Sequence, residues 1–380
     1  MKPSRPIDLS SVPPGVQYFL DDEVTLRRSI ERDVMSVFAG WGYAEIDLPI
    51  FDAYDLFALG MGGDVAALTY RFTARDGTTV ALRPDLTSLV ARTVATRLRE
   101  RERPLRLCYT GEVFRADEPR RGRQHEFHQL GIEHVGWASP ESDVEILLVA
   151  LETLSALGLD DARVVLGHAG FFRGVVERIG LDLDAEARLR AFVDRRQSAA
   201  VEQCLAPHAP AADCAAFGRL IGLAGGRAVI DEARTLVSNP LSVSALDQLS
   251  AVYSTLEHLG LDGLVSIDLG EVAGLDYYTG MTFSIYAPGW GLPLGGGGRY
   301  DALLSKYGTD EPAVGFSLSL DWLAGALAAR GLDVPRREQP ERTALAAGTD
   351  LGALFAEAKR LRAEGRTVTI VPQGAEGTAR

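Results

Sequence analysis

The chain has little cysteine. Cys108, Cys204 and Cys214 are scattered through 380 residues, without the paired spacing of a zinc site and too few for a disulfide framework. No apolar run approaches the roughly 20 residues of a membrane-spanning helix. The opening MKPSRPIDLSSVPPG lacks the apolar stretch of a secretory signal. A cytoplasmic protein with no metal and no cofactor is therefore expected. Positive charge is scarce as well: 39 Lys and Arg against 52 Asp and Glu give a net charge of −13, which works against long-range attraction of a polyanion such as RNA. Two Arg-rich stretches are local exceptions, RLRERER at 97–103 and RADEPRRGR at 115–123. The first alternates with Glu and reads as the solvated end of a helix. Internal repeats and low-complexity segments are absent, which excludes solenoid architectures.

What is present is ordinary globular composition, 46% apolar and 24% charged, in a chain long enough for one large core and a small appendage. Leu26, Ile30, Val34, Val37 and Phe38 recur at helical spacing behind an acidic start. Ile46, Leu48 and Ile50 alternate like a strand that Pro49 confines to an edge or a bend. Tyr70–Thr73 and Thr78–Leu82 flank Asp76-Gly77, a pair suited to a type I′ hairpin turn. Leu105–Phe114 and Phe127–Val135 read as two strands joined by a polar loop, so the sheet is expected to be antiparallel. A helix follows from Ser139 to Leu157 and a strand at Val164–Leu166. Residues 180–250 form a helical insertion, and strands resume at Val265–Leu269, Tyr277–Tyr286 and Val314–Phe316. The helix Asp321–Ala329 closes a core of residues 1–333. The charged, Pro-containing 334–342 is the linker, and 343–380 reads as a small βαβ piece.

Along Phe127–Val135, Gln129 and Glu133 share a face with Phe127 and Val135. On an isolated strand such a pair usually faces solvent. Gly295–Gly298, followed by Arg299, Tyr300 and Asp301, lets a backbone pass close to a ligand or to another chain. Alone it could be a flexible loop, just as Gly274-Leu275-Asp276-Tyr277-Tyr278 could be an aromatic core strand.

Taken together and in order, these segments resemble histidyl-tRNA synthetase. The resemblance lies in LRPDLT at 82–87, FRADEPRRGRQHEFHQLGIE at 114–133, GLDYY at 274–278, GGGGRYDALL at 295–304 and AVGFSLSLDWL at 313–323. It spans roughly 14–329 and implies an α+β fold of the class II aminoacyl-tRNA synthetase type, an antiparallel sheet flanked by helices. It also implies a histidine pocket lined by Asp85, Thr87, Arg115, Gln129, Glu133, Tyr277 and Tyr278. That set suits free histidine: carboxylates for its ammonium, Arg115 for its carboxylate, Glu133 and a Tyr hydroxyl for its imidazole. Asp85 is one methylene shorter than the Glu found in the family.

Two departures carry as much weight. Ala273 and Trp322 stand where the synthetases have arginines that stabilise charge on the activated carboxyl and the nucleotide phosphates. Each loss of a positioned cation costs roughly 10² to 10³ in rate. About 50 residues follow the core, against roughly 100 for a domain able to bind an anticodon. These features resemble the regulatory subunit family of ATP phosphoribosyltransferase, as do ALRPDLTSLVARTVATRL at 81–98 and PLRLCYTGEVFR at 104–115. The resemblance implies no catalytic residue of its own, a self-dimer through the N-terminal helix and strand, and a hetero-octamer with the short-form catalytic subunit. It also implies feedback inhibition by histidine, with no membrane and no nucleic-acid partner. An active synthetase in which Arg115 or Arg123 compensates, and a synthetase-like RNA-binding or sensor module resting on the RRGR loop, are the alternatives.

Overall fold

The computed structural model describes residues 12–13, 15–61, 68–116, 124–271, 278–331, 342–346 and 350–371. They fall into two compact units, one on each side of the 332–341 stretch.

The larger unit is built on a nine-stranded sheet. Its strands are β1 (Ala44–Glu45), β5 (Leu105–Phe114), β6 (Glu126–Val135), β7 (Arg163–His168), β8 (Ala224–Gly225), β9 (Val265–Asp268), β10 (Met281–Tyr286), β11 (Gly295–Arg299) and β12 (Ala313–Ser319). The spatial order is β1-β5-β6-β12-β11-β10-β7-β9-β8. The six central strands run antiparallel throughout, while β1 joins β5 and β9 joins β7 in parallel. The expected antiparallel α+β architecture is thus correct for the part of the sheet that carries the site.

Period-two alternation decides which face each side chain serves. On β6, Leu130 and Ile132 point into the main core, where they meet Ile30, Val34 and Phe38 from the first helix, α1 (Asp21–Gly40), and Ile146, Leu147 and Leu154 from Pro140–Ala156. Those three α1 residues are spaced by four and form the stripe read from the sequence. Phe38 meets the β12 residue Phe316 edge-to-face with ring centroids 5.9 Å apart; truncating it to Ala should cost about 3–5 kcal/mol. The opposite face holds a second core, in which Leu107, Tyr109 and Val135 pack against Leu89, Val90 and Val94 of the helix Thr87–Thr96. That helix roofs the region where the candidate residues gather.

A three-stranded antiparallel sheet, β2 (Phe51–Ala53), β4 (Thr79–Leu82) and β3 (Arg71–Thr73), lies beside this second core. Its hairpin forms where expected, but the turn is not type I′. Gly77 N donates to Ala74 O at 3.0 Å and Ala74 N to Thr78 O at 2.9 Å, and of the central residues only Gly77 has positive φ, +89°. This is a three-residue loop, a type I turn closed by a glycine bulge, and it spares Asp76 the left-handed conformation. The strand expected over Ile46–Ile50 is also absent. Only Ala44–Glu45 pairs with β5, Ile46 N gives one last bond to Cys108 O at 2.9 Å, and by Ile50, whose carbonyl accepts from Arg83 N at 2.9 Å, the chain has turned toward β2.

The helical stretch after residue 180 divides. Helices Leu183–Asp194, Ser198–Leu205 and Ala211–Leu220 make a separate small core with Leu189, Val201, Leu205 and Phe217. The helix Pro240–His258 instead packs beneath the main sheet through Leu246, Leu249 and Leu256. The second unit is a βαβ: strands Arg342–Ala346 and Thr367–Val371 pair in parallel around the helix Leu351–Ala363. Among the described residues, no helix is long and apolar enough to cross a membrane, and no cluster of three His, Cys, Asp or Glu could hold a metal.

Candidate functional site

Glu133 is the deepest member of the site. It sits in the middle of the sheet, opposite Leu107 on one side and Gly315 on the other. Gly315 has to be glycine, since a Cβ there would run into the Glu133 carboxylate. The side chain is 1% exposed, so the solvent-facing reading fails for this residue. Tyr109 donates its hydroxyl to Glu133 Oε1 at 3.1 Å and Tyr300 donates to Oε2. Burial pushes the carboxyl up to about 7, against the pull of the Tyr300, Thr87 and Tyr109 hydroxyls and with a further push from Asp85.

Asp85 stands just before the helix Thr87–Thr96, buried, and accepts from Ser88 N at 3.2 Å and from Ser88 Oγ at 3.4 Å. Burial raises its carboxyl and Arg115 pulls it back down. Arg115 donates Nε to Pro84 O at 2.8 Å and lies over the Phe127 ring, 5.3 Å from its centroid. Gln129, two residues before Gly131 on the same face of β6, donates to Ser317 Oγ at 3.4 Å. Burial raises the Tyr278 hydroxyl, and the Glu133 and Asp85 charges add to this.

Asp85, Thr87, Arg115, Gln129 and Tyr278 line one cleft of about 410 Å³, and Trp322 lines it with them. Tyr277 and Ala273 lie outside the described residues. Asp321, next to Trp322, faces elsewhere: it accepts from Arg27 Nη1 at 2.6 Å and from the His128 backbone N at 2.8 Å, tying α1 to β6. Arg299 pairs with Asp143 at 2.8 Å in the interior and with Asp301 at 3.2 Å. Reasoning from sequence overlooked Tyr109 and Tyr300, whose hydroxyls Glu133 accepts together with that of Thr87. Tyr109 was within reach, because it shares a strand face with Leu107. Nothing local connects Tyr300 to a residue far before it in the chain.

The arrangement is a polar cleft lined by the Asp85 carboxylate, Arg115 and the Trp322 indole, beside a second carboxylate, Glu133, which is buried under the Tyr109 and Tyr300 hydroxyls and does not itself line the cleft. It can bind a small zwitterion that carries a hydrogen-bonding ring. This geometry, on a mostly antiparallel sheet backed by helices, is of the class II synthetase type. The histidyl-tRNA synthetase family model matches residues 15–323, and the chain folds like the histidyl-tRNA synthetase of Nostoc, with a TM-score of 0.78 at 21% identity over 95% of this chain and 86% of that one. Closer relatives narrow the assignment. A protein of Moorella thermoacetica named ATP phosphoribosyltransferase regulatory subunit is 38% identical over 94% of this chain and 91% of its own length. One of the same name from Geobacter sulfurreducens is 40% identical over 87% and 76%. A crystal structure from Bacillus halodurans, described as an ATP phosphoribosyltransferase regulatory subunit/histidyl-tRNA synthetase, superposes with a TM-score of 0.85 at 28% identity, covering 99% and 96%. The chain belongs to the ATP phosphoribosyltransferase regulatory subunit family.

Proposed function

We propose that this chain performs no chemistry of its own. In this reading it joins a short-form ATP phosphoribosyltransferase catalytic subunit in a cytoplasmic hetero-oligomer, an octamer by analogy, in which it self-associates through its N-terminal helix and strand. The catalytic subunit needs it for activity, and it carries histidine feedback. The effector site is the inner end of the cleft. Glu133 and Tyr278 take the imidazole, Asp85 the ammonium, Arg115 and Gln129 the carboxylate, and Thr87 and Tyr277 complete the wall.

One observation carries the reading: the cleft that keeps Asp85, Thr87, Arg115, Gln129 and Tyr278 together presents the Trp322 indole where an activating enzyme would need a cation. Without positioned positive charge on the nucleotide side, adenylate formation is silenced even though the amino-acid pocket survives. Inhibition is then a coupling free energy, typically about 1–3 kcal/mol, between this pocket and a site on another subunit.

The test is co-purification with the short catalytic subunit, followed by assays of phosphoribosyl transfer to ATP with and without this chain and with added histidine. The reading expects a stable complex, activity that depends on this chain, and loss of that activity with histidine. A catalytic subunit equally active alone would refute it.

A further inference from the structure

The three-stranded sheet β2-β4-β3 wears its polarity inside out. An antiparallel sheet with one face on a core normally turns apolar residues inward and polar ones to water. Here the pairing sets Asp52, Ala81 and Arg71 in one row, with Phe51 opposite Leu82 and Phe72 opposite Val80 on the other side. The Asp52 side is the covered one. Ala81 is fully buried in the second core, Arg92 of the helix Thr87–Thr96 pairs with Asp52, and Arg71 lies over the Tyr54 ring, 4.0 Å from its centroid.

The other side carries Phe51, Ala53, Tyr70, Phe72, Val80 and Leu82. Tyr70 belongs to it because its carbonyl accepts from Leu82 N at 2.9 Å and side chains two residues apart share a face. No Asp, Glu, Lys, Arg or His stands among the six. The three largest are open, Phe51 at 54%, Phe72 at 45% and Tyr70 at 36% exposure. Phe51 and Phe72 meet edge-to-face across the central strand, ring centroids 5.7 Å apart, so the apolar surface is continuous over all three strands. A patch of this kind marks an interaction site.

Two observations say what covers it. The Tyr70 hydroxyl lies 2.6 Å from His125 Nδ1 and His125 N donates to Gly15 O at 2.9 Å, and just beyond Gly15 the side chains of Val16, Tyr18 and Leu20 are exposed too. The apolar surface thus runs from the sheet to the start of α1, the helix through which self-association is proposed above. Charge points the same way. Two copies that each carry −13 repel one another, and an uncharged face lets them meet without opposing like charges. Such a face is also complementary to itself, as a two-fold contact requires.

We propose that a second copy of this chain covers the sheet face, with Phe51, Tyr70 and Phe72 of one copy meeting the same residues of the other about a two-fold axis. The proposal rests on the self-association stated above and extends it beyond the N-terminal helix and strand; it does not depend on the histidine pocket.

The test is sedimentation equilibrium of the full chain and of two double variants, Phe51→Glu with Phe72→Glu and Phe51→Lys with Phe72→Lys. The unaltered chain is expected to be a dimer. Each double variant should raise the dimer dissociation constant by about a hundredfold or more while keeping a cooperative thermal transition. An equimolar mixture of the two should recover a dimer, because opposite charges then face each other. Phe72→Ser, which adds no charge, should weaken the dimer by about tenfold and covers the case in which a double variant fails to fold. Dimers of unchanged affinity would overturn this inference alone and leave the N-terminal helix and strand as the whole contact. Weakened dimers that mixing does not restore would show that the face does not meet its own copy. Variants that stay dimeric but no longer hold the short catalytic subunit would give the face to that partner and overturn the inference as well. A monomeric unaltered chain would remove both this inference and the self-association beneath it.

Discussion

The surround of Glu133 and the cleft beside it are built on the same four strands, β6, β12, β11 and β10, and differ in what covers them. Around Glu133 the glycines Gly131, Gly315 and Gly298 are each covered by a side chain, Tyr109, Glu133 and Tyr278 in turn, and the carboxylate is gripped from both sides. In the cleft Gly296 lies bare between two serines, beside an indole and a carboxylate. Around Glu133 the buried polar groups satisfy one another. The Trp322 side of the cleft lacks, among the described residues, the cations that would let it act on a nucleotide. On the proposed reading the sheet preserves recognition while losing chemistry, because recognition resides in buried hydrogen bonds and activation in positioned charge.

The largest expected effect concerns the cleft. Histidine-dependent exchange of pyrophosphate into ATP by the purified chain should be at least about 10⁴-fold below that of an active histidyl-tRNA synthetase, since each missing cation costs roughly 10² to 10³. Exchange at a comparable rate would erase the contrast between the two regions.

The next effect probes the surround of Glu133 by pH. Folding raises the Glu133 carboxyl from its usual 4.5 to about 7, so the folded chain holds a proton that the unfolded chain has already released. Stability attributable to this group is therefore highest below about pH 4.5 and declines as pH rises to about 7, by roughly 3 kcal/mol at most. Glu133→Gln should remove that decline. Its melting temperature should exceed that of the unaltered chain at pH 8 and approach it at pH 4.5; equal gains at both pH values would mean that the buried charge is not the cause. A smaller effect sharpens the role of Tyr278. Tyr278→Phe removes one neutral hydrogen bond and should weaken histidine by about 1 kcal/mol, a factor of roughly 5, as measured by calorimetry.

Much of this contrast is legible in the sequence. The period of two along Phe127–Val135 places Gln129 and Glu133 on one face, and the spacing of Ile30, Val34 and Phe38 fixes the face that α1 buries. Both follow from local geometry. The burial of Glu133 does not, because it depends on the glycine opposite and on two tyrosines from distant strands. The hairpin shows the same limit at small scale. Asp76-Gly77 signals a turn, but its type is settled by how many residues the paired strands leave between Ala74 and Thr78. The stretch before β2 gives the converse case: the alternation of Ile46, Leu48 and Ile50 suggests a strand, but the ladder with β5 ends at Ile46 and Ile50 pairs with Arg83 instead. The bare floor at Gly296 also follows from strand register, which brings Ser317 and Ser284 to its two sides.

The most direct test of the whole account is the inhibition constant for histidine in the complex reconstituted from the catalytic subunit and Glu133→Ala. Removing the buried carboxylate takes away a charge-assisted hydrogen bond worth about 2–3 kcal/mol, so the constant should rise by roughly a hundredfold. An inhibition constant unchanged from that of the unaltered complex would place the effector elsewhere and contradict the account.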